Sequence, residues 1–168
     1  MWRFVAGVSL VVGLAACGGG APIVVAPGGA GTLASTSAGE DAWADQLLER
    51  TNEVRAEHGL LPLTLDDRAC AAAYEHSWDM DLREFFDHVN PDGEGPVDRL
   101  ARHGVVEPWV GENLARGFAS PEDVVQGWMD SPAHRENLLY PGWTHVGIAV
   151  HSAPSGGPWW TADYFDEE

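Results

Sequence analysis

The sequence contains no lysine and only two cysteines, Cys17 and Cys70, among its 168 residues. Two cysteines are too few for a small domain built on a framework of disulfides, so the fold must depend on a hydrophobic core. The nine basic residues are all arginine, and together with 26 acidic residues they give a formal net charge of -17. Because phosphate binding needs clustered cations, this balance argues against nucleic acid as a partner.

A hydrophobic run long enough to span a membrane is also missing. Residues 1–16 carry one charge, Arg3, and then an apolar stretch that ends in the sequence LAAC at Cys17. This stretch is shorter than the ~20 apolar residues of a membrane-spanning helix and has the layout of an export signal. The LAAC sequence resembles the lipobox of bacterial lipoproteins, in which the cysteine becomes the lipid-bearing N-terminus. We therefore expect a lipid anchor at Cys17, with ordinary signal-peptidase cleavage nearby as the alternative.

The chain after Cys17 lacks charged side chains until Glu40. Residues 18–39 are mostly Gly, Ala, Pro, Ser and Thr, a composition typical of a flexible tether. The sequence therefore predicts an export signal over residues 1–16, a lipid-anchored linker over 17–39 and one folded domain over 40–168. Since 45% of the residues are hydrophobic, that domain can bury a sizeable core on the outer face of the membrane, periplasmic or extracellular.

The folded part shows helical patterns first and strand patterns last. Apolar residues recur at three- and four-residue steps from Asp41 to His58, which predicts an amphipathic helix. Capping residues mark further helix starts, and alternating apolar residues near the C-terminus predict two strands joined by the turn SAPSGGP. This order of elements predicts an α+β layered fold. The later predicted elements are a helix from Asp66 to about Glu84, a helix from Pro96 to His103, a helix after Ser120, a short helix after Ser131 that contains His134, and strands over residues 145–151 and 159–165.

Several polar and aromatic residues receive a structural interpretation. We expect Asn113 to lie in a turn after Gly111 and to bind backbone groups, with contact to a ligand as the alternative. His145 and His151 share the non-aliphatic face of a predicted strand, which favours solvent exposure. His76 lies on an apolar helix face and is expected to be buried and hydrogen-bonded. Four tryptophans are expected in the core, or else as a sugar- or lipid-stacking platform: Trp128, Trp143, Trp159 and Trp160.

Four motifs in a fixed order carry a resemblance to a known family. They are FFDH at 85–88, WVGEN at 109–113, GWMDSPAHRENLL at 127–139 and THVGIAV at 144–150. The ordered set resembles the CAP superfamily, also called SCP, which includes cysteine-rich secretory proteins, antigen 5 and pathogenesis-related-1 proteins, and it is closest to the compact bacterial members. This resemblance implies a three-layer α-β-α sandwich whose central sheet supports a large cleft.

The resemblance also implies a set of residues in that cleft. In the family, two histidines and acidic residues line the cleft and can hold a divalent metal. The positions that match here are His88, Glu112 and His134. The position of a second family glutamate is occupied by Ser131, and the nearby Asp130 is one residue off, about 100° around a helix.

The three matched residues allow two kinds of chemistry. Two neutral imidazoles and one carboxylate resemble an open metal site, which could hold zinc, magnesium or calcium with water in the remaining position. Without a metal, the same trio could act as an acid and base pair, because a carboxylate raises the pKa of a neighbouring histidine. The residues come from separate elements, so the sequence leaves both readings open.

Three functions follow as hypotheses. The first is an exported, lipid-anchored domain whose cleft binds a divalent metal, a lipid, a cell-envelope component or a protein partner. The second is a metal-assisted, protease-like hydrolase that uses His88, Glu112 and His134 as catalytic residues. The third is a purely structural envelope protein. We rank binding above catalysis, because no single reaction unites the family that the chain resembles.

Overall fold

The computed structural model describes residues 38–153 and 157–167. The predicted export signal, Cys17 and the predicted linker up to residue 37 lie outside these residues. Within them, no helix is long and apolar enough to cross a membrane. The elements are α1 (Ala38–Glu57), β1 (Thr64–Leu65), α2 (Asp67–Leu82), α3 (Pro96–Arg102), β2 (Val110–Arg116), α4 (Pro121–Asp130), α5 (Pro132–Leu138), β3 (His145–Ala153) and β4 (Gly157–Phe165).

The strands form one four-stranded sheet in the order β1-β3-β4-β2. Strand β1 pairs with β3 in parallel, whereas β4 pairs antiparallel with both β3 and β2. Helices α2 and α3 pack on one face of this sheet, and α1, α4 and α5 pack on the other. The predicted α-β-α sandwich is therefore confirmed, with a sheet that is covered on both faces.

The face toward α1, α4 and α5 holds the main apolar core. Alternate residues of β3 and β4 point to this side, because successive side chains of a strand lie on opposite faces. The Trp160 ring stacks on Trp43 of α1 with centroids 5.3 Å apart. Helix α4 contributes Trp128, whose indole N–H donates to the Leu114 carbonyl at 3.1 Å. The other fully buried apolar residues here include Leu47, Val124, Leu138, Val146, Ala162 and Tyr164.

The face toward α2 is built for close approach. A Cβ added to Gly147 of β3 would lie 2.2 Å from the backbone of Ala69, so only glycine lets α2 pack at this distance. Ala69, Ala72 and Ala73 of α2 are fully buried, as expected for a helix whose small side chains face a sheet. This tight contact fixes α2 and the loop that follows it over β4.

The helix signals at Asp66 and Ser120 operate as predicted, whereas Ser131 precedes α5 without a side-chain capping hydrogen bond. Asp66 accepts a hydrogen bond from the Ala69 amide at 2.9 Å, and Ser120 accepts one from the Asp123 amide at 3.2 Å. Gly104 follows α3 with φ of 86°, a left-handed conformation that suits glycine after a helix. Helix α1 begins at Ala38, before the predicted domain start, and its first turn carries acidic residues that favour a helix N-terminus.

Two strands escaped prediction. Glu112 and Asn113 lie within β2 and not in a turn, so that expectation was wrong. Strand β2 is buried on both sides of the sheet and contains charged and amide side chains, so it lacks the apolar alternation of a half-exposed strand. Strand β1 has two residues, too few to produce a pattern.

The predicted exposure of His145 and His151 was also wrong. His145 stacks on Phe165 with ring centroids 5.5 Å apart. His151 has only 14% of its side chain exposed and contacts the Asp81 carboxylate at 3.0 Å. Neither histidine is fully exposed, because α2 covers the non-aliphatic face of β3.

Candidate functional site

His88 and Glu112 meet at the edge of the α2 face. His88 lies in the loop after α2, and Glu112 lies in β2 with its side chain 2% exposed. The His88 Nδ1–H donates to Glu112 Oε1 at 2.7 Å, while 52% of the His88 side chain stays exposed. The other ring nitrogen of His88, Nε2, is therefore left to face a ligand or a proton.

Arg99 of α3 occupies the second oxygen of Glu112. Its Nη2 donates to Glu112 Oε2, and its Nη1 donates to the carbonyls of His88 at 3.0 Å and Glu94 at 3.1 Å. Arg99 is 1% exposed. One buried guanidinium thus fixes the carboxylate and the loop that carries His88, which holds their geometry before any ligand arrives.

Two further titratable residues lie beside this pair. His76 of α2 is fully buried, and its Nε2–H donates to the Asp87 carbonyl at 3.0 Å. This confirms the expected buried, hydrogen-bonded histidine. Asp163 of β4 lies directly opposite Glu112 in the strand register. Asp163 is fully buried, and neither carboxyl oxygen has a hydrogen-bond partner among the described residues.

Burial and neighbouring charge separate the pKa values in this cluster. Burial opposes the charge on Glu112, but the hydrogen bond from His88 and the Arg99 charge bring the Glu112 pKa below its usual value. The same hydrogen bond raises the pKa of His88. Burial lowers the pKa of His76 to about 4, which leaves it neutral. Burial and the Glu112 charge raise the pKa of Asp163 well above its usual value.

His134 lies on α5, on the far side of β2, and lines a separate cavity of about 280 Å³. Its pKa is lowered by burial and then by the charge of His88, so the two rings are electrostatic neighbours. The cavity is mainly apolar, with Arg116 and His134 as its basic groups. Its aromatic and aliphatic lining includes Phe86, Leu114, Ala115, Phe118 and Trp128.

The structure shows the surroundings of Ser131, which stands at the position of the second family glutamate. Ser131 lines the cavity with His134. Asp130 is exposed and accepts a hydrogen bond from Gln126 at 2.9 Å, so it does not replace that glutamate. Asn113 donates to the His134 carbonyl at 2.9 Å. Its role is therefore to hold α5 against β2, as the structural interpretation of Asn113 expected.

The comparisons with known proteins agree with this geometry. The family model "Cysteine-rich secretory protein family" (CAP) matches residues 48–164. The chain belongs to the CAP family. The Bacillus subtilis protein YkwD is 36% identical over 128 residues, which are 76% of this chain and 49% of YkwD. The CAP chain thus spans about half the length of that curated relative.

Solved structures show the same CAP fold. An extracellular protein with an SCP domain from Bacillus anthracis superposes with a TM-score of 0.71 at 30% identity, covering 76% of this chain and 41% of that one. An outer surface protein from Borrelia burgdorferi superposes with a TM-score of 0.69 at 21% identity, covering 74% of this chain and 92% of that one. The second likeness concerns the fold alone.

The CAP site differs in one respect from the set that the sequence indicated. Glu112 contacts His88 but is sealed between His88 and Arg99, whereas His134 lies on α5 beside a separate cavity. Among the residues that the structure describes, no three His, Cys, Asp or Glu side chains are grouped to hold a metal ion. The structure thus brings His88 and Glu112 into direct contact. His134 interacts with His88 only through the effect of the His88 charge on its pKa.

Sequence reasoning missed two members of this cluster, Arg99 and Asp163. Arg99 lies in the short helix PVDRLAR, and an arginine in such a helix is ordinarily expected at the surface. Asp163 lies in the aromatic run WWTADYF. An acidic residue in a mainly apolar strand indicates that it is buried beside another polar group, and this signal could have located it. The register of β2 and β4 places Asp163 opposite Glu112, and Arg99 reaches Glu112 from α3, so both contacts become visible only in the folded chain.

Proposed function

We propose that this CAP protein is an exported, lipid-anchored binding protein whose cavity beside His134 takes a small amphipathic component of the cell envelope. The lining of that cavity carries the proposal. Its aromatic rings offer apolar surface, whereas Arg116 offers a cation and His134 a hydrogen-bonding group. A ligand with a short hydrocarbon chain and an anionic head group matches both parts, since binding cavities are mostly apolar with few polar groups.

His88 contributes charge to the same region. Its raised pKa keeps a positive charge near His134 over a wider pH range than a free histidine would. Glu112 and Arg99 are sealed beneath it, so they hold His88 in place instead of contacting the ligand. An anionic head group would therefore contact Arg116 and His134 and would be attracted by the positive charge of His88.

Calorimetric titration with decanoate tests the cavity directly. We expect saturable binding to the purified full-length chain in mild detergent and at least about tenfold weaker binding in His134→Ala and Arg116→Gln. Decanol should bind more weakly than decanoate, because it lacks the anionic group. His58→Ala is the matched control, since His58 is exposed at the end of α1. Equal decanoate affinity in wild type, His134→Ala and Arg116→Gln would contradict the proposal.

A divalent metal at His88, Glu112 and His134 remains a prediction. Both Glu112 oxygens are already engaged, so any metal would be held by the imidazoles, with Glu112 orienting His88 as a carboxylate does behind a metal-bound histidine. Nitrogen donors without a free carboxylate suit zinc better than magnesium or calcium, which prefer oxygen ligands.

Zinc titration with His88→Ala and His134→Ala tests this prediction. Both variants should lose zinc binding, and wild-type affinity should fall as the pH drops through the raised pKa of His88, because protons compete for the ring. Magnesium and calcium should show no saturable binding. If zinc binds equally to wild type and both variants, the histidines are not the ligands.

A hydrolase is the second candidate, and one observation favours it. The pKa of His88 is raised and that of His134 is lowered, and two titratable groups pushed in opposite directions can serve as acid and base. Esterase or peptidase activity should then be lost in His88→Ala and in His134→Ala while their melting temperatures stay near wild type. Activity that survives in both variants would leave this candidate without its catalytic groups.

Export and lipid anchoring complete the proposal. The structural relative from Bacillus anthracis, at 30% identity, is described as an extracellular protein, which agrees with an exported domain. Mass spectrometry of the mature chain should find a lipidated N-terminal Cys17, and Cys17→Ala should release the protein from the membrane fraction. An unmodified Cys17, or a variant that stays membrane-bound, would contradict the anchor.

A further inference from the structure

We propose that a second groove, lined by Trp109, Tyr140 and Trp143, binds an oligosaccharide of uncharged sugars such as N-acetylated hexosamines. We call it the aromatic groove; its polar lining residues are Glu136, Asn137 and Asp166. Its volume is about 540 Å³, and it shares no lining residue with the cavity beside His134. The inference therefore stands independently of the ligand proposed for that cavity.

The floor of the aromatic groove is formed before any ligand binds. The Trp143 indole N–H donates to the Asn137 carbonyl at 3.0 Å. A Cβ added to Gly111 would lie 3.1 Å from the Trp143 ring, so glycine makes room for that ring against β2. Tyr140 packs on Trp143 with ring centroids 4.7 Å apart. The two rings thus present a fixed apolar surface.

The loop that carries these rings is tied to the core by Arg55. This guanidinium is fully buried and donates to the carbonyls of Leu138 at 2.8 Å, Tyr140 at 3.1 Å and Trp143 at 3.3 Å. Charged donors make strong hydrogen bonds to carbonyls, so the loop conformation is set by the fold. A preorganised surface binds with less loss of conformational entropy than a flexible one.

Trp109 is the exposed member of the groove. It directly precedes β2 and is 79% exposed, although tryptophan is among the most costly side chains to leave in water. Tyr140 is 48% exposed. Exposed aromatic side chains that converge on one concave surface mark a binding site.

The polar lining decides the class of ligand. Glu136 and Asp166 supply carboxylate oxygens, and none of the described lining residues is basic. Carboxylates accept hydrogen bonds and repel anions, so anionic polymers and anionic head groups are disfavoured. Sugar rings offer hydroxyl donors to such acceptors and apolar C–H faces to the aromatic rings. A hydrocarbon chain would pack on the rings but would offer no hydrogen-bond donor to the exposed carboxylates of Glu136 and Asp166.

Titration of the full-length chain with N-acetylglucosamine oligomers, followed by tryptophan fluorescence and calorimetry, tests the proposal. We expect saturable binding to wild type that is at least about tenfold weaker in Trp109→Ala. Trp109→Phe should keep part of the affinity, because it keeps an aromatic face. Val106→Ala is the matched control, since Val106 is 78% exposed in the same loop but does not line the groove.

Two other variants separate this groove from the cavity. Glu136→Gln should weaken sugar binding, whereas His134→Ala should leave it unchanged even where it abolishes decanoate binding. Absence of saturable binding to any oligomer at millimolar concentration would overturn the proposal. So would equal affinity in Trp109→Ala and wild type. Saturable binding of tetramethylammonium or of neutral lipid vesicles without sugar binding would assign the aromatic groove to another ligand and also overturn it.

Discussion

The two faces of the central sheet are made by alternate residues of the same strands, yet they differ in chemistry. Toward α1, α4 and α5, Trp160 and Ala162 of β4 pack in a continuous apolar core. Toward α2 and α3, Asp163 of the same strand lies opposite Glu112 among buried charged groups. The apolar face therefore stabilises the CAP domain by packing, whereas the polar face positions His88 through Glu112 and Arg99. Substitutions on the apolar face should therefore change mainly stability, whereas those on the polar face should change both stability and the position of His88.

The largest expected effect is on the apolar face. Trp160→Ala should lower the free energy of unfolding by about 4 kcal/mol, because it removes a fully buried indole from the main core. Urea unfolding followed by circular dichroism measures the change. A loss below about 1 kcal/mol would show that this face is not the principal source of stability.

On the polar face, Glu112→Ala should cost about 3 kcal/mol, since it leaves the Arg99 charge buried without its partner. The double variant Glu112→Met with Arg99→Met is the control. It should be closer to wild type than Glu112→Ala in urea unfolding, because a buried ion pair can be replaced by apolar groups at little cost. If the double variant is the less stable of the two, the pair contributes net stability and the contrast between the faces weakens.

The pH dependence of stability should come partly from His76. Its folded pKa of about 4 lies below the ordinary value of 6.5, because burial opposes its charge. As the pH falls from 6.5 to about 4, the unfolded chain takes up this proton before the folded chain does, so about 3 kcal/mol of stability is lost.

Comparing wild type with His76→Gln isolates this contribution from Glu112, His88 and Asp163, which titrate in the same cluster. The variant should lose less stability than wild type over that interval in urea unfolding. Parallel pH profiles would mean that His76 is not held neutral by the fold.

The smallest expected effect on stability is that of His88→Ala, about 1 kcal/mol or less, because half of this side chain is exposed and Glu112 keeps Arg99. Ligand binding in the cavity beside His134 should nevertheless weaken, because the nearby charge is lost. Thermal unfolding and decanoate titration on the same sample measure both quantities. Strong destabilisation of His88→Ala would show that His88 itself stabilises the fold, which would contradict the distinction between the two faces of the sheet.

The sequence predicted the elements whose patterns are local. Caps at Asp66 and Ser120 and the alternation in β3 depend on neighbours within a few residues, so they were readable. Strand β2 was missed because its Glu112 and Asn113 are buried by long-range contacts with α3 and α5.

The candidate site divides in the same way. Family motifs located His88, Glu112 and His134, but only the register of β2 and β4 brings Asp163 to Glu112. Arg99 reaches the same carboxylate from a separate helix. No local sequence pattern predicts a contact between residues so far apart in the chain. The cluster of Arg99, Glu112 and Asp163 could therefore be identified only in the folded domain.

Decanoate titration of wild type and His134→Ala, with the melting temperature of each measured in parallel, tests directly whether a ligand site lies beside His134. We expect saturable binding to wild type, at least about tenfold weaker binding to the variant, and similar melting temperatures. No saturable binding to wild type, or equal binding to both proteins, would contradict a ligand site beside His134.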